Sequence, residues 1–199
     1  MRPTLQFWFE LASTYSYLSA MRIEAAAAVR GVTVQWRPFL LGPIFAAQGW
    51  STSPFLVYPA KGRYMWRDME RLCADRNLPF VRPDPFPQNG LLAARIALAA
   101  GAAGVDMPAF CRTVYQAQFA QGYDISDPSV LATCLHAAGL PAQLLEHATT
   151  PEIKQSLRIQ NDTAVALGLF GAPSFTVESE IFWGDDRLDQ ALEWAAATT

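Results

Sequence analysis

Phe7-Trp8-Phe9-Glu10-Leu11-Ala12-Ser13-Thr14-Tyr15-Ser16-Tyr17-Leu18 is the stretch on which the fold turns. With Leu5 and Gln6 before it, its aromatic half reads as a short strand, because aromatic side chains suit a pleated, half-buried surface. Ser13 or Ser16 then offers a helix cap, and an apolar helical pattern runs through Ala20, Ile23 and Ala27 toward Gly31. Gly31 ends the helix, and Val32-Thr33-Val34-Gln35-Trp36 reads as a second strand. The opening is β-α-β, with a helix long enough to cross between parallel strands.

The far end of the chain is the counterpart. Ser174-Phe175-Thr176-Val177 reads as a strand, Glu178-Ser179 as a tight turn and Ile181-Phe182-Trp183 as another strand. Gly184-Asp185-Asp186 starts a closing helix with Leu188, Leu192 and Trp194 on one face. A helix over Glu152–Leu167 precedes this β-β-α unit. The middle carries helical periodicity and turn signals but no strand pattern. Tyr64-Met65-x-x-Met69-x-x-Leu72 is amphipathic, and Leu91–Ala100, Pro108–Gln121 and Ser129–Ala138 are further helices. Arg82-Pro83-Asp84-Pro85-Phe86-Pro87 reads as a rigid linker between two of them. The order predicts an α/β, thioredoxin-like fold with a large all-helical insertion. Residues 1–42 and 151–199 form the discontinuous thioredoxin-like part, and residues 43–150 the helical insertion domain.

Composition removes several functions. The 199 residues are 51% apolar, enough for a sizeable core, and the net charge is −3. No Lys/Arg block provides the concentrated basic patch that nucleic acid needs. The first ten residues do not read as a secretory signal, since Glu10 interrupts a short apolar stretch. No apolar run approaches the roughly 20 residues that span a bilayer, so the cytoplasm is the expected location, away from membranes. Cys73, Cys111 and Cys134 are widely spaced on apolar helical patterns, without C-x-x-C, and read as buried thiols. His136 and His147 have no partner at a ligand spacing, so no metal is expected. A homodimer is compatible with the sequence.

Three segments carry a resemblance. The stretch from Phe7 to Leu18 resembles the first strand and active-site turn of the 2-hydroxychromene-2-carboxylate isomerases, relatives of kappa-class glutathione transferases and, more distantly, of bacterial disulfide-forming oxidoreductases. Gly171-Ala172-Pro173-Ser174-Phe175 resembles the cis-proline loop of that family, and Phe182-Trp183-Gly184-Asp185-Asp186-Arg187-Leu188 its glutathione-binding helix start. Gln48-Gly49-Trp50, Pro59-Ala60-Lys61-Gly62-Arg63-Tyr64-Met65 and Asn89-Gly90-Leu91-Leu92-Ala93-Ala94-Arg95 agree in the right order. Thr14 departs from the pattern, standing where the family usually has proline.

Redox members of the fold hold C-x-x-C where this chain has Ser13-Thr14-Tyr15-Ser16. Hydroxyls cannot form a disulfide, so dithiol chemistry at this turn is excluded. A hydroxyl can instead donate a hydrogen bond to a bound thiolate. Lowering a thiol pKa by two units takes roughly 2.7 kcal/mol. A hydrogen bond to a charged group supplies about 1.5–3 kcal/mol, and a helix N-terminus about 0.3–1 more. Ser13 is equally suited to cap the helix; the resemblance implies that it is catalytic.

The resemblance also implies glutathione as the cofactor. It places the backbone of Ala172, beside Pro173, against the cysteinyl part like an added strand. The γ-glutamyl ammonium falls to Asp186, with Asp185 second and Arg187 next to both. The glycyl carboxylate falls to Lys61, or to Ser53. Both aspartates also suit a helix start, and Lys61 a solvated surface. Among the aromatics Trp50, Tyr58, Tyr64, Trp66 and Phe86, those that face Ser13 would hold a flat substrate, with Asn89 and Arg95 on its carboxylate.

The implied activity is a glutathione-dependent isomerisation between 2-hydroxychromene-2-carboxylate and trans-o-hydroxybenzylidenepyruvate, in breakdown of naphthalene-type aromatics. The partner is then a small aromatic carboxylate. A kappa-like transferase or peroxidase acting on other electrophiles needs the same site. A thioredoxin-like binding module without catalysis would need no glutathione at all.

Overall fold

In the computed structural model, which describes residues 2–198, the aromatic opening forms the centre of a single mixed sheet. The strands are β1 (Thr4–Phe9), β2 (Thr33–Pro38), β3 (Ser174–Val177) and β4 (Glu180–Trp183), in the order β2-β1-β3-β4. β1 pairs parallel to β2, Phe7 opposite Trp36, and antiparallel to β3, Phe7 opposite Phe175. β3 and β4 form a hairpin. Period-two alternation puts Leu5, Phe7 and Phe9 on one face of β1 and Trp8 and Glu10 on the other. On the first face Phe7 lies 5.0 Å from Trp36 and 5.5 Å from Phe175, ring to ring. Trp8 joins Phe39, Leu41 and Ile44 in a smaller cluster on the second face.

The helices are α1 (Thr14–Ala20), α2 (Ile23–Val29), α3 (Leu41–Ala47), α4 (Pro54–Val57), α5 (Pro59–Asp75), α6 (Leu91–Ala102), α7 (Met107–Phe119), α8 (Pro128–Ala137), α9 (Leu144–His147), α10 (Pro151–Ala166) and α11 (Leu188–Ala197). Helices α3 to α9 lie between β2 and α10, as a large helical insertion requires. One hydrophobic cluster runs from the sheet through α1 into α5, α6 and α7, holding Phe7, Tyr17, Met69, Ile96 and Tyr115 together. The two parts of the fold therefore share a core.

The structure refines the local expectations at several points. The crossover is two helices, because α1 stops at Met21 and Arg22 turns out of helical geometry (φ −128°), directing its guanidinium to Asp185 and Asp189. Ser13, rather than Ser16, is the cap. The closing helix is preceded by a turn of 3₁₀ helix over Asp185–Arg187. Trp194 is half exposed against Phe182, while Leu188, Ala191, Leu192 and Ala195 are buried. At about 100° per residue Trp194 sits far around the helix from Leu188 and Leu192. Three short helices, α3, α4 and α9, were not expected, and none is long enough to show a periodicity.

Candidate active site

Ser13 stands where β1 gives way to α1. Its Oγ accepts the Ser16 N–H at 3.3 Å and donates to the Ala172 carbonyl at 3.2 Å. The hydroxyl thus caps the helix and also faces the loop across the sheet. The Ala172–Pro173 bond is cis. The Ala172 N–H has no hydrogen-bond partner among the described residues, so a main-chain donor is free beside the hydroxyl. Helix α1 contributes less dipole than an unbroken crossover would, because it ends after seven residues.

Ser13 opens onto a cavity of about 1190 Å³. This exceeds the several hundred Å³ of a typical small-molecule site and accommodates a tripeptide with a second ligand. Ala172, Lys61, Ser53, Asp185, Asp186 and Arg187 line it, as do Trp50, Tyr64 and Asn89. Lys61 extends over the Phe55 ring, 5.8 Å from its centre, and no carboxylate pairs with it among the described residues. Ser53 caps α4 by accepting the Phe55 N–H at 3.3 Å. Asn89 Oδ1 accepts the Leu91 N–H at 3.0 Å, leaving its amide NH₂ available.

The neighbouring aspartates have different surroundings. Asp185 is buried, taking the Ser19 hydroxyl at 2.9 Å, Arg22 Nε at 3.5 Å and Arg76 Nη2 at 2.6 Å. Its charge is committed to the frame, which removes it as a partner for a ligand ammonium. The Asp186 side chain is 73% exposed and has only the loose contact to Arg187 at 3.5 Å. Tyr58 and Arg95 do not reach the cavity. Tyr58, at the α4–α5 junction, points to solvent. Arg95, one turn beyond Leu91 on α6, is not part of the lining, and its Nε is buried without a partner among the described residues.

Other lining groups were not anticipated. Arg76, at the end of α5, shows the cavity a guanidinium whose Nη1 has no partner. Phe170 and Trp183 form an edge-to-face pair 4.9 Å apart on the wall, each about half exposed. A Cβ at Gly171 would collide with the Trp183 ring, so glycine is what lets that ring lie over the loop. Glu10 lines the cavity from the end of β1, and burial lifts its carboxyl from the ordinary 4.5 to about 7 against the Leu41 N–H. Its signal was present in the sequence, as a carboxylate closing an aromatic strand three residues before Ser13. The three cysteines are buried and free, and burial pushes the thiols of Cys73 and Cys134 up to about 11. They do not supply a thiolate at neutral pH.

Residues 4–194 match the family described as DSBA-like thioredoxin domain. The chain is 32% identical to a 2-hydroxychromene-2-carboxylate isomerase from Sphingobium xenophagum over 192 residues, 95% of this chain and 96% of that one. The chain belongs to this DSBA-like family, in the isomerase branch. Its likeness to glutathione S-transferase kappa 1 of Homo sapiens is 24% identity over 94% of this chain and 88% of that protein. A solved structure of 2-hydroxychromene-2-carboxylate isomerase superposes with a TM-score of 0.85 at 23% identity, over 98% of this chain and 95% of that one, which shows the common fold. Within the DSBA-like family, this chain has hydroxyls in the active-site turn and keeps its thiols in the core. Among the described residues no helix is long and apolar enough to cross a membrane, and no His/Cys/Asp/Glu group is placed to hold a metal ion.

Proposed function

We propose that the protein is a glutathione-dependent isomerase that interconverts 2-hydroxychromene-2-carboxylate and trans-o-hydroxybenzylidenepyruvate in the breakdown of naphthalene-type aromatics. The observation that carries this reading is Ser13, with its hydroxyl 3.2 Å from the Ala172 carbonyl, in a chain 32% identical to an isomerase of that name. The site suits glutathione: a free main-chain N–H at Ala172, an unpaired ammonium at Lys61 and an exposed carboxylate at Asp186 match the three polar parts of the tripeptide. When bound, glutathione supplies the nucleophilic sulfur that makes a substrate double bond temporarily single.

The residues of the chain do the rest. Ser13 turns its hydroxyl from Ala172 to the sulfur and holds it as thiolate. Ala172 fixes the tripeptide main chain, Lys61 takes its glycyl carboxylate and Asp186 its γ-glutamyl ammonium. Trp50, Tyr64 and Phe86 provide apolar surface for a flat ring, and Asn89 an amide donor for its carboxylate. In this reading the enzyme acts in the cytoplasm.

The test uses desalted enzyme and the chromene acid. Isomerisation should require added glutathione and leave its concentration unchanged. Full activity without it refutes the reading. The kappa-class likeness favours a second reading, transfer to other electrophiles, in which the thiol is consumed in proportion to product. No thermal stabilisation by millimolar glutathione would favour a binding module instead.

A further inference from the structure

We propose that Glu10 is the general acid of this site, delivering a proton to the ketone oxygen of the substrate and recovering it in the same turnover. The assignment rests on the isomerase reading and adds a residue to it.

The geometry is that of a carboxyl left without a cation in a ligand cavity. Glu10 follows Phe9 on the β1 face opposite the main core, so alternation turns it toward Leu41 and the α3 side. Its Oε2 accepts the Leu41 N–H at 3.3 Å. Its other oxygen has no hydrogen bond among the described residues and is not sealed from the cavity. Its main-chain carbonyl accepts the Ser13 N–H at 3.0 Å and the Tyr115 hydroxyl at 2.9 Å, which ties its backbone to the catalytic turn. The strand end is thus held from two sides while the carboxyl remains free.

The surroundings favour its protonated form more than water would. From α3 only the Leu41 N–H faces it, and from α7 the Tyr115 hydroxyl, which burial holds protonated. Apolar Leu40, Leu41, Pro43 and Phe45 form the adjoining wall. The other charged groups on the cavity, Lys61, Asp68, Arg76, Asp185, Asp186 and Arg187, make no ion pair with it. A carboxyl near 7 is divided between acid and base at neutral pH, the condition under which one group both gives and takes a proton effectively. A thiolate nearby would raise it further, by like-charge repulsion.

The proton balance closes. In the open keto acid, which the chromene acid reaches when its ring C–O bond breaks and the proton of its hydroxyl passes to the phenoxide oxygen, a C–S bond forms at the benzylic carbon, the C=C pair moves through the chain to the ketone oxygen, and Glu10 gives its proton to that oxygen. The former double bond is then free to turn. Glu10, now carboxylate, takes the proton back as the C=C bond re-forms and the C–S bond breaks. Nothing is oxidised or reduced, and Glu10 ends as it began.

Glu10→Gln removes the transferable proton while keeping size and the Leu41 contact. In this variant glutathione affinity by calorimetry should stay close to the wild-type value, and the thiolate absorbance of the bound tripeptide should not fall, since an amide adds no charge against the sulfur. Isomerisation kcat should fall about 10²–10⁴-fold. Wild type should lose rate on the alkaline side with an apparent pKa at or above 7, and the variant should lack that limb. Glu10→Asp should recover part of the rate. In the absence of any ligand, the thermal midpoint of wild type should decline between pH 4.5 and 7, and that of Glu10→Gln should lack this contribution. Wild-type kcat and pH profile in Glu10→Gln, in an enzyme that isomerises, overturns the assignment alone. A wild-type enzyme with no glutathione-dependent isomerisation overturns the assignment together with the reading it rests on.

Discussion

Asp185 and Asp186 are adjacent and chemically identical, yet the structure gives them opposite surroundings, and conversion of each to Asn should separate their effects. Asp185→Asn takes the negative charge from between Arg22 and Arg76 and replaces one of the two acceptor oxygens, which serve Ser19 and Arg76 separately, by an amide NH₂. Removing one member of a buried ion pair costs about 3–5 kcal/mol. The arginines are 27% and 24% exposed, so water recovers part of that cost, and about 2–3 kcal/mol is expected. For a chain of this length that corresponds to a fall in Tm of roughly 4–12 °C. Asp186→Asn removes only an exposed contact to Arg187, worth about 0–1 kcal/mol, and should leave Tm within about 2 °C. Its effect should fall on glutathione, with affinity weakened about tenfold by loss of a charged hydrogen bond and little change in kcat at saturation. Thermal unfolding and calorimetric titration of both variants give four numbers. Equal Tm losses, or an affinity loss confined to Asp185→Asn, would refute the division of labour.

Ser13→Ala should keep the fold at a cost of about 1 kcal/mol for the lost cap, bind glutathione and lose most turnover. Unchanged turnover would reduce the hydroxyl to a cap. Lys61→Met should weaken glutathione binding about 10–100-fold with kcat nearly preserved, and calorimetry that finds wild-type affinity rejects its placement on the glycyl carboxylate. Between pH 4.5 and 7 the folded state holds a proton on Glu10 that the unfolded chain has released, so stability should decline as pH rises through that window. The loss is at most about 3 kcal/mol, less for water in the cavity, and a flat urea-denaturation profile in that range contradicts it. A triple Cys73→Ala, Cys111→Ala, Cys134→Ala variant should be less stable but still isomerise with glutathione present; a folded, glutathione-binding, inert variant would contradict the borrowed-thiol mechanism.

The sequence by itself determined the parts of this protein that follow from local chemistry. The alternation through Phe7, Trp8 and Phe9 and the run Ser174–Val177 specify strands because side-chain period is a local property. The Met65 and Met69 pattern specifies a helix for the same reason. Ser13-Thr14-Tyr15-Ser16 rules out dithiol chemistry whatever surrounds it. Ser13, Lys61, Ala172 and Asp186 were legible as candidates through a family pattern, and the fold brings them to one cavity. Tertiary structure decided what depends on partners distant in the chain. At the break in the crossover, Arg22 bonds the Asp189 carboxylate and the Asp185 carbonyl, both more than 160 residues away. The commitment of Asp185, but not Asp186, depends on the same arginine and on Arg76, and nothing in the tripeptide Asp185-Asp186-Arg187 distinguishes the two acids. Tyr58 and Arg95 are off the cavity because helix phase and length, unlike residue type, set where a side chain ends. Glu10 is the plainest case: any sequence shows a carboxylate there, but only burial against Leu41, without a cation, lifts it to about 7, because desolvation belongs to the assembled fold.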